Sequence, residues 1–228
     1  MEITVRRDYL YWTIFFLVIA LGLFIFFRNL KTFELEAAEI QNLIKNQPMI
    51  KNKGKILMVV SPKDFRDEEF FVPAEIFKKS GYKVEVASIK KGMALGADGG
   101  EVKIDYSFDD VNLDDFKAVV FVGGPGALEN LDKERTYQFI KEVVVENKLL
   151  GAICISPVIL AKAGVLKGKK ATVWSSVFDK SPIELLKKAG AIYQEGPVVQ
   201  DGKIITGNGP KAAREFAQKI IEALKSEK

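Results

Sequence analysis

The single cysteine of the chain, Cys154, lies in Ala152-Ile153-Cys154-Ile155-Ser156. A sharp strand-to-helix turn needs small residues two before and two after a nucleophile, because the backbone folds back on itself there. Pro157 follows, a favoured first helical residue, and Ser156 is placed to cap that helix. A sulfur near a helix N-terminus meets unpaired N–H groups and the positive end of the dipole, which favour the thiolate. Such a thiolate attacks a reactive aldehyde or a peroxide without a general base. The same five residues fit equally well a small apolar cysteine buried where a helix packs closely on a strand.

Other chemistries are removed by what the chain lacks. It has no histidine, so Ser-His-Asp and Cys-His catalysis and His-based metal sites are excluded within it. One cysteine permits neither an internal disulfide nor a multi-cysteine zinc site. No metal and no cofactor is expected. Gly164-Val-Leu-Lys-Gly168-Lys169-Lys170 resembles a phosphate loop but has one residue too few between its glycines and no Ser or Thr. Gly96-Ala-Asp-Gly99-Gly100 is not a dinucleotide fingerprint, and Asp109-Asp110 and Asp114-Asp115 read as solvated turns. A net charge of +4 is too weak to argue for a nucleic-acid partner.

The elements that must position Cys154 alternate in type. Over 228 residues, 48% hydrophobic and 28% charged, the chain suits one globular domain with an appendage. Lys55–Val60, Ala118–Val122 and Leu149–Cys154 read as buried strands. Tyr82–Ile89 alternates with period two. Residues 90–100 read as a loop, Glu101–Phe108 as a weak strand or hairpin, and Lys170–Trp174 as a strand. Val198–Thr206 is a hairpin about Asp201-Gly202. Helices are expected over Glu68–Ser80, Lys133–Asn147, from Pro157, over Ser181–Ala189 and over Lys211–Ala223. Strands alternating with helices imply an α/β fold with a mostly parallel sheet covered on both faces. Sites in such sheets lie at the carboxyl ends of the strands, here after Val60, Val122 and Cys154.

Ahead of this domain, Tyr9–Phe27 holds 19 uncharged residues, about 28 Å as a helix and near the thickness of a bilayer core. Basic residues flank it, and Tyr9, Tyr11 and Trp12 gather at one edge. Residues 1–30 are therefore expected to be a single-pass transmembrane anchor in contact with lipid. The flanking charges lean slightly toward a cytoplasmic globular part. Residues 31–54 read as a helical stalk or linker that pairs with its own copy or packs on the domain, and 55–228 as the α/β domain.

Four segments carry a resemblance: EEFFVPAEIFKKSGYKVEVAS, FVGGPGALENL, GAICISPVILAKAGVLKGKKATVW and VVQDGKIITGNGPKAAREFAQKIIEAL. Together, over roughly residues 55–226, they resemble the ThiJ/PfpI family of the class I glutamine-amidotransferase-like superfamily. That family includes the parkinsonism-associated deglycase and PfpI-type intracellular proteases. The resemblance implies a flavodoxin-like three-layer sandwich. It puts the family's nucleophile on Cys154 and its helix carboxylate, which contacts the cysteine sulfur, on Glu69, four residues before Pro73. A protonated Glu can donate a hydrogen bond to a thiolate. The diglycine falls on Gly123-Gly124, and backbone N–H groups of Gly124 and Ile155 are the expected oxyanion donors. Trp174 and Ser175 fall where the pocket wall is expected.

The chain departs from the family at one place. Protease-like members have His immediately after the cysteine, where this chain has Ile155, and others use a His near Trp174, Ser175 and Ser176. The resemblance therefore implies glyoxalase-like or deglycase-like action on a small carbonyl substrate, or a related stress-protective role, by a homodimer. The alternative is a non-catalytic redox sensor or scaffold in which Cys154 is oxidised reversibly or is structural. A divergent cysteine peptidase would need a base that a homodimer of this chain cannot supply.

Overall fold

The structure, a computed structural model, describes residues 52–226 and, ahead of them, Gly22, Phe26 and most positions from 28 to 41. The chain divides into two compact units, Met1–Met49 and Ile50–Lys228. The described positions of the first unit are helical and exposed. Nearly all of Tyr9–Phe27 lies outside the described residues. Among the described residues no helix is long and apolar enough to cross a membrane. This overturns the expected single-pass membrane localisation and the cytoplasmic lean that went with it; the lipid contact expected through Tyr9 to Phe27 falls on a segment almost wholly outside the described residues. The described helical positions include Arg28, Lys31, Glu34, Glu36 and Glu39. Charges of this kind cost about 3 kcal/mol each at the centre of a bilayer.

In the second unit the main sheet has seven strands. They are Lys55–Val59 (β1), Lys83–Ser88 (β3), Tyr106–Ser107 (β6), Phe116–Phe121 (β7), Leu149–Ile153 (β8), Val198–Asp201 (β11) and Ile204–Gly207 (β12). Their spatial order is β11-β12-β8-β7-β1-β3-β6. Only the β11–β12 pair is antiparallel. Six helices surround it: Asp67–Lys79 (α1), Pro125–Leu131 (α2), Glu134–Val145 (α3), Pro157–Lys162 (α4), Ser181–Lys188 (α5) and Ala213–Ser226 (α6).

The continuous apolar runs of the central strands are explained by burial on both faces. Ile56, Met58 and Val60 pack with Phe70 and Phe77 of α1 and Phe216 and Ile220 of α6. Leu57 and Val59, between them, pack with Phe139 and Val143 of α3 and Val158 and Ile159 of α4. Alternate side chains of a strand point to opposite faces, so one run feeds two core layers. Burying a side chain such as Phe77 or Phe216 stabilises by roughly 1.5–3 kcal/mol. The chain leaves β1 for β3 on one side and reaches β7 on the other. The carboxyl ends of β1, β7 and β8 therefore open around one crevice, where the strand order reverses.

Three local readings change. The stretch read as a loop over 90–100 contains a strand, Gly92–Gly96 (β4), paired antiparallel with Glu101–Ile104 (β5) and parallel with Lys63–Phe65 (β2) in a small separate sheet. Exposed Met93 and Leu95 alternate with buried Ala94 and Gly96; the glycines at both ends obscured that period. The strand expected over Lys170–Trp174 is confined to Lys170–Ala171 (β9), which pairs with Ile192–Tyr193 (β10) outside the main sheet. Beyond it the backbone bonds to the site region: Thr172 N–H donates to Thr206 Oγ1 at 2.9 Å and Trp174 N–H to the Cys154 carbonyl at 2.8 Å. Helix α2 forms inside the stretch that the sequence marks only by its glycines.

Candidate active site

Cys154 follows the last residue of β8 and has φ of 64°, a left-handed conformation that a side chain adopts only at a cost of about 1–2 kcal/mol. The surroundings impose it. Cys154 N–H donates to the Gly207 carbonyl at 2.9 Å, and its own carbonyl accepts from Trp174 N–H. Ser156 N–H returns to the Ile153 carbonyl at 3.2 Å. The Ser156 hydroxyl, expected to cap the following helix, makes no cap. It donates instead to the Val122 carbonyl at 2.8 Å and ties the turn to the end of β7.

Glu69 reaches the same point from the first turn of α1. Its side chain is completely buried, and Oε2 accepts the Gly123 N–H at 3.1 Å. A Cβ on Gly123 would lie 2.6 Å from Cys154 Cβ and 2.8 Å from Glu69 Oε2, so only glycine lets the cysteine and the carboxyl meet. Gly124 takes φ of 118°, which turns its N–H toward the sulfur. Glu69 Oε1 is buried without a fixed donor, yet Glu69 and Cys154 each feel the other as a hydrogen-bond partner. The thiol hydrogen rotates about the C–S bond, so the direction of this contact is not fixed.

The electrostatics of the pair follow from burial. Burial pushes the Glu69 carboxyl up to about 7, against the pull of the Cys154 thiol, the Gly123 N–H and the Arg66 charge. Burial also pushes the Cys154 thiol up, and the neighbouring Glu69 charge adds to it. The N–H groups of Gly124 and Ile155 pull the thiol down, as the turn implies, but by less. The thiolate-favouring effect expected of the helix start is thus present and outweighed by burial and by the carboxylate.

Cys154 opens into a cleft of about 230 Å³. Its walls are Pro125, Leu128, Ile155, Trp174 and Pro210, with Gly124 and, as the one charged residue among the described ones that line it, Arg66. The structure therefore brings together Cys154, Glu69, Gly124, Ile155 and Trp174. It does not bring Ser175, which is half-buried beside Trp174 but outside the lining. Arg66, Leu128 and Pro210 carry no sequence signal of their own. The one available clue to Arg66 is its spacing, one helical turn before Glu69, which places both on the side of α1 that meets the cleft. Among the described residues no three His, Cys, Asp or Glu side chains gather to hold a metal.

A model of the DJ-1/PfpI family matches residues 54–223. The chain belongs to the DJ-1/PfpI family. An uncharacterized protein of Methanocaldococcus jannaschii is 45% identical over 186 residues, 81% of this chain and 89% of that protein. Deglycase PfpI of Pyrococcus furiosus is 31% identical over 169 residues, 74% of this chain and 99% of that one. Among solved structures, a ThiJ/PfpI domain protein from Brachyspira murdochii has a TM-score of 0.72 and 34% identity, covering 77% of this chain and 98% of the other. Within this DJ-1/PfpI domain, the position after the cysteine is Ile155. Its side chain packs half-buried against both core layers, so a hydrophobic contact occupies the place where a titrating base would sit.

Proposed function

We propose that this DJ-1/PfpI protein adds the Cys154 thiol to small reactive carbonyl compounds, with Glu69 as the proton carrier. The observation that supports the reading most is the meeting of a strained cysteine and a buried carboxyl, held near 7, at the floor of a small cleft. In the addition step the C–S bond forms and the carbonyl π pair moves to oxygen. The thiol proton passes to the Glu69 carboxylate and returns from it to the new alkoxide, giving a hemithioacetal. A general base works best when its pKa lies near the operating pH, and burial supplies this without a histidine. The alkoxide oxygen forms on the carbon bonded to the sulfur, beside the N–H groups of Gly124 and Ile155 that already act on that sulfur. The name of the Pyrococcus furiosus relative, a deglycase, points the same way.

The test is turnover of glyoxal and methylglyoxal by the full chain, read as loss of the aldehyde and gain of the hydroxy acid. Wild type should act and Cys154→Ala and Glu69→Gln should not. Equal activity in Cys154→Ala would sink the proposal. A second reading, a redox sensor, is favoured by the missing histidine. It requires oxidation of Cys154 by peroxide to a sulfenic or sulfinic acid, detected as a mass gain on the peptide containing Cys154, with no aldehyde turnover.

A further inference from the structure

Resting on the carbonyl reading of Cys154, we propose that Arg66 makes the cleft selective for carbonyl compounds that carry a carboxylate next to the carbonyl group. Among the described residues, Arg66 is the only charged one that lines the cleft, and the remaining wall is apolar or backbone. A cation in such surroundings attracts an anion more strongly than it would in water. A guanidinium also matches a carboxylate with two parallel N–H donors.

Arg66 is held in this place by both its backbone and its side chain. Its backbone N–H donates to the Gly123 carbonyl at 2.9 Å, on the glycine that Glu69 also engages. Its side chain bonds Asp98, with Nη1 at 3.2 Å from Oδ2. Asp98 is fixed in turn by Asp67, whose carboxylate accepts the N–H groups of Asp98 at 2.8 Å and Gly100 at 2.6 Å. The loop between β4 and β5 is thereby buckled onto the start of α1, and it presents a carboxylate to Arg66 at the rim of the cleft. The Asp98 side chain is more than half exposed, at 59%, so water already competes for this contact. A substrate carboxylate would take over or share the guanidinium there, with its carbonyl group directed inward at Cys154. The volume, about 230 Å³, suits a compound of a few heavy atoms.

Iodoacetate and iodoacetamide separate charge from shape, since they alkylate the same sulfur and differ in carrying a carboxylate or a neutral amide. The experiment compares their second-order rates on Cys154 in the full chain with those on 2-mercaptoethanol, at one pH and low salt. The iodoacetate-to-iodoacetamide ratio for wild type should exceed that of the free thiol by about tenfold, the scale of one hydrogen bond to a charged group. Arg66→Gln should bring the ratio back to the free-thiol value, and Arg66→Lys should keep part of the excess. Asp98→Asn removes the competing carboxylate and should raise the ratio above wild type, an effect that a purely structural ion pair would not give. Any change in thiol ionisation alters both rates alike and cancels in the ratio. A wild-type ratio equal to that of the free thiol, or an excess that survives in Arg66→Gln, overturns the proposal and leaves the nucleophile intact. If neither reagent labels folded Cys154, the nucleophile reading fails, and the selectivity built on it fails with it.

Discussion

Glu69→Gln separates the burial of an acid from the shape of its site. Gln has nearly the same volume, can accept the Gly123 N–H, and carries a donor toward the sulfur at every pH. The wild-type carboxyl, ordinarily near 4.5, is held at about 7 in the folded chain. Below the lower value folded and unfolded chains both keep the proton, and the stability that goes with the neutral acid is fully present. Between the two values the unfolded chain releases the proton and the folded chain retains it, so stability falls as pH rises. At about 1.36 kcal/mol per pH unit, the interval amounts to roughly 3 kcal/mol, and the loss is complete above it. Glu69 is 0% exposed, so solvent screening does not reduce this figure. Cys154 adds nothing in the window, because its folded value is raised and the thiol stays protonated in both states. The remaining acids are common to both proteins and cancel. Urea unfolding of the full chain at pH 4.5, 6 and 8, followed by circular dichroism, gives the difference directly. The stability of Glu69→Gln relative to wild type should rise by roughly 3 kcal/mol from the lowest pH to the highest. A difference that stays constant would falsify the reading of Glu69 as an acid kept neutral by burial.

Three further outcomes follow from the same geometry. The rate of Cys154 alkylation by iodoacetamide in wild type should still be rising beyond pH 9, past the ordinary thiol value of about 8.5. Glu69→Gln, which lacks the repelling charge, should shift that profile to lower pH, and a wild-type plateau by pH 8 contradicts the account. Cys154→Gly should be more stable than Cys154→Ala by about 1 kcal/mol, because glycine tolerates the left-handed φ; equal urea midpoints would show that the turn carries no strain. Gly123→Ala should lose about 1–3 kcal/mol through overpacking and change the thiol profile, because its methyl group lands between Cys154 and Glu69. Wild-type melting together with an unchanged profile would mean that the neighbours give way freely.

The strands that feed both core layers were legible because burial on two faces leaves an unbroken apolar run, as in Lys55–Val60 and Ala118–Val122. Helices ending in glycine were legible for a local reason: Gly81 and Gly190 take φ of 93° and 86°, where a helix must stop. The turn at Cys154 was readable as a pattern, since Ala152 and Ser156 are small. Two features beyond that pattern appear only in the structure: the positive φ of Cys154 and Glu69, arriving from a segment 85 residues away in the chain. Ser156 shows the limit most clearly. Its type and position suit a helix cap, but its hydroxyl donates to the carbonyl of Val122 from another strand instead. Tertiary contacts decide between partners that local pattern treats as equal. Arg66 was hidden for the same reason. In Arg66-Asp67-Glu68-Glu69 it reads as one charge in a solvated run, and only the loop carrying Asp98 and the cleft beyond it give that charge a direction.

Costs that the rest of the domain avoids are concentrated in a few residues of this site. Cys154 holds a strained backbone, Glu69 buries an ionisable group with one oxygen lacking a fixed donor, and Gly123 leaves out a side chain so that the two can touch. Each would relax if the sulfur moved outward or if the carboxyl reached water. Neither movement is open, because the Cys154 backbone is bonded to Gly207 and Trp174, and α1 is packed on the sheet through Phe70 and Phe77. Burial disfavours the charged form of the carboxyl and of the thiol alike, so each is pushed toward its neutral form. A histidine beside the sulfur would instead stabilise a standing thiolate and draw water toward its own charge. With Ile155 in that position a hydrophobic side chain adjoins the sulfur, and Glu69 is the titrating group that Cys154 meets.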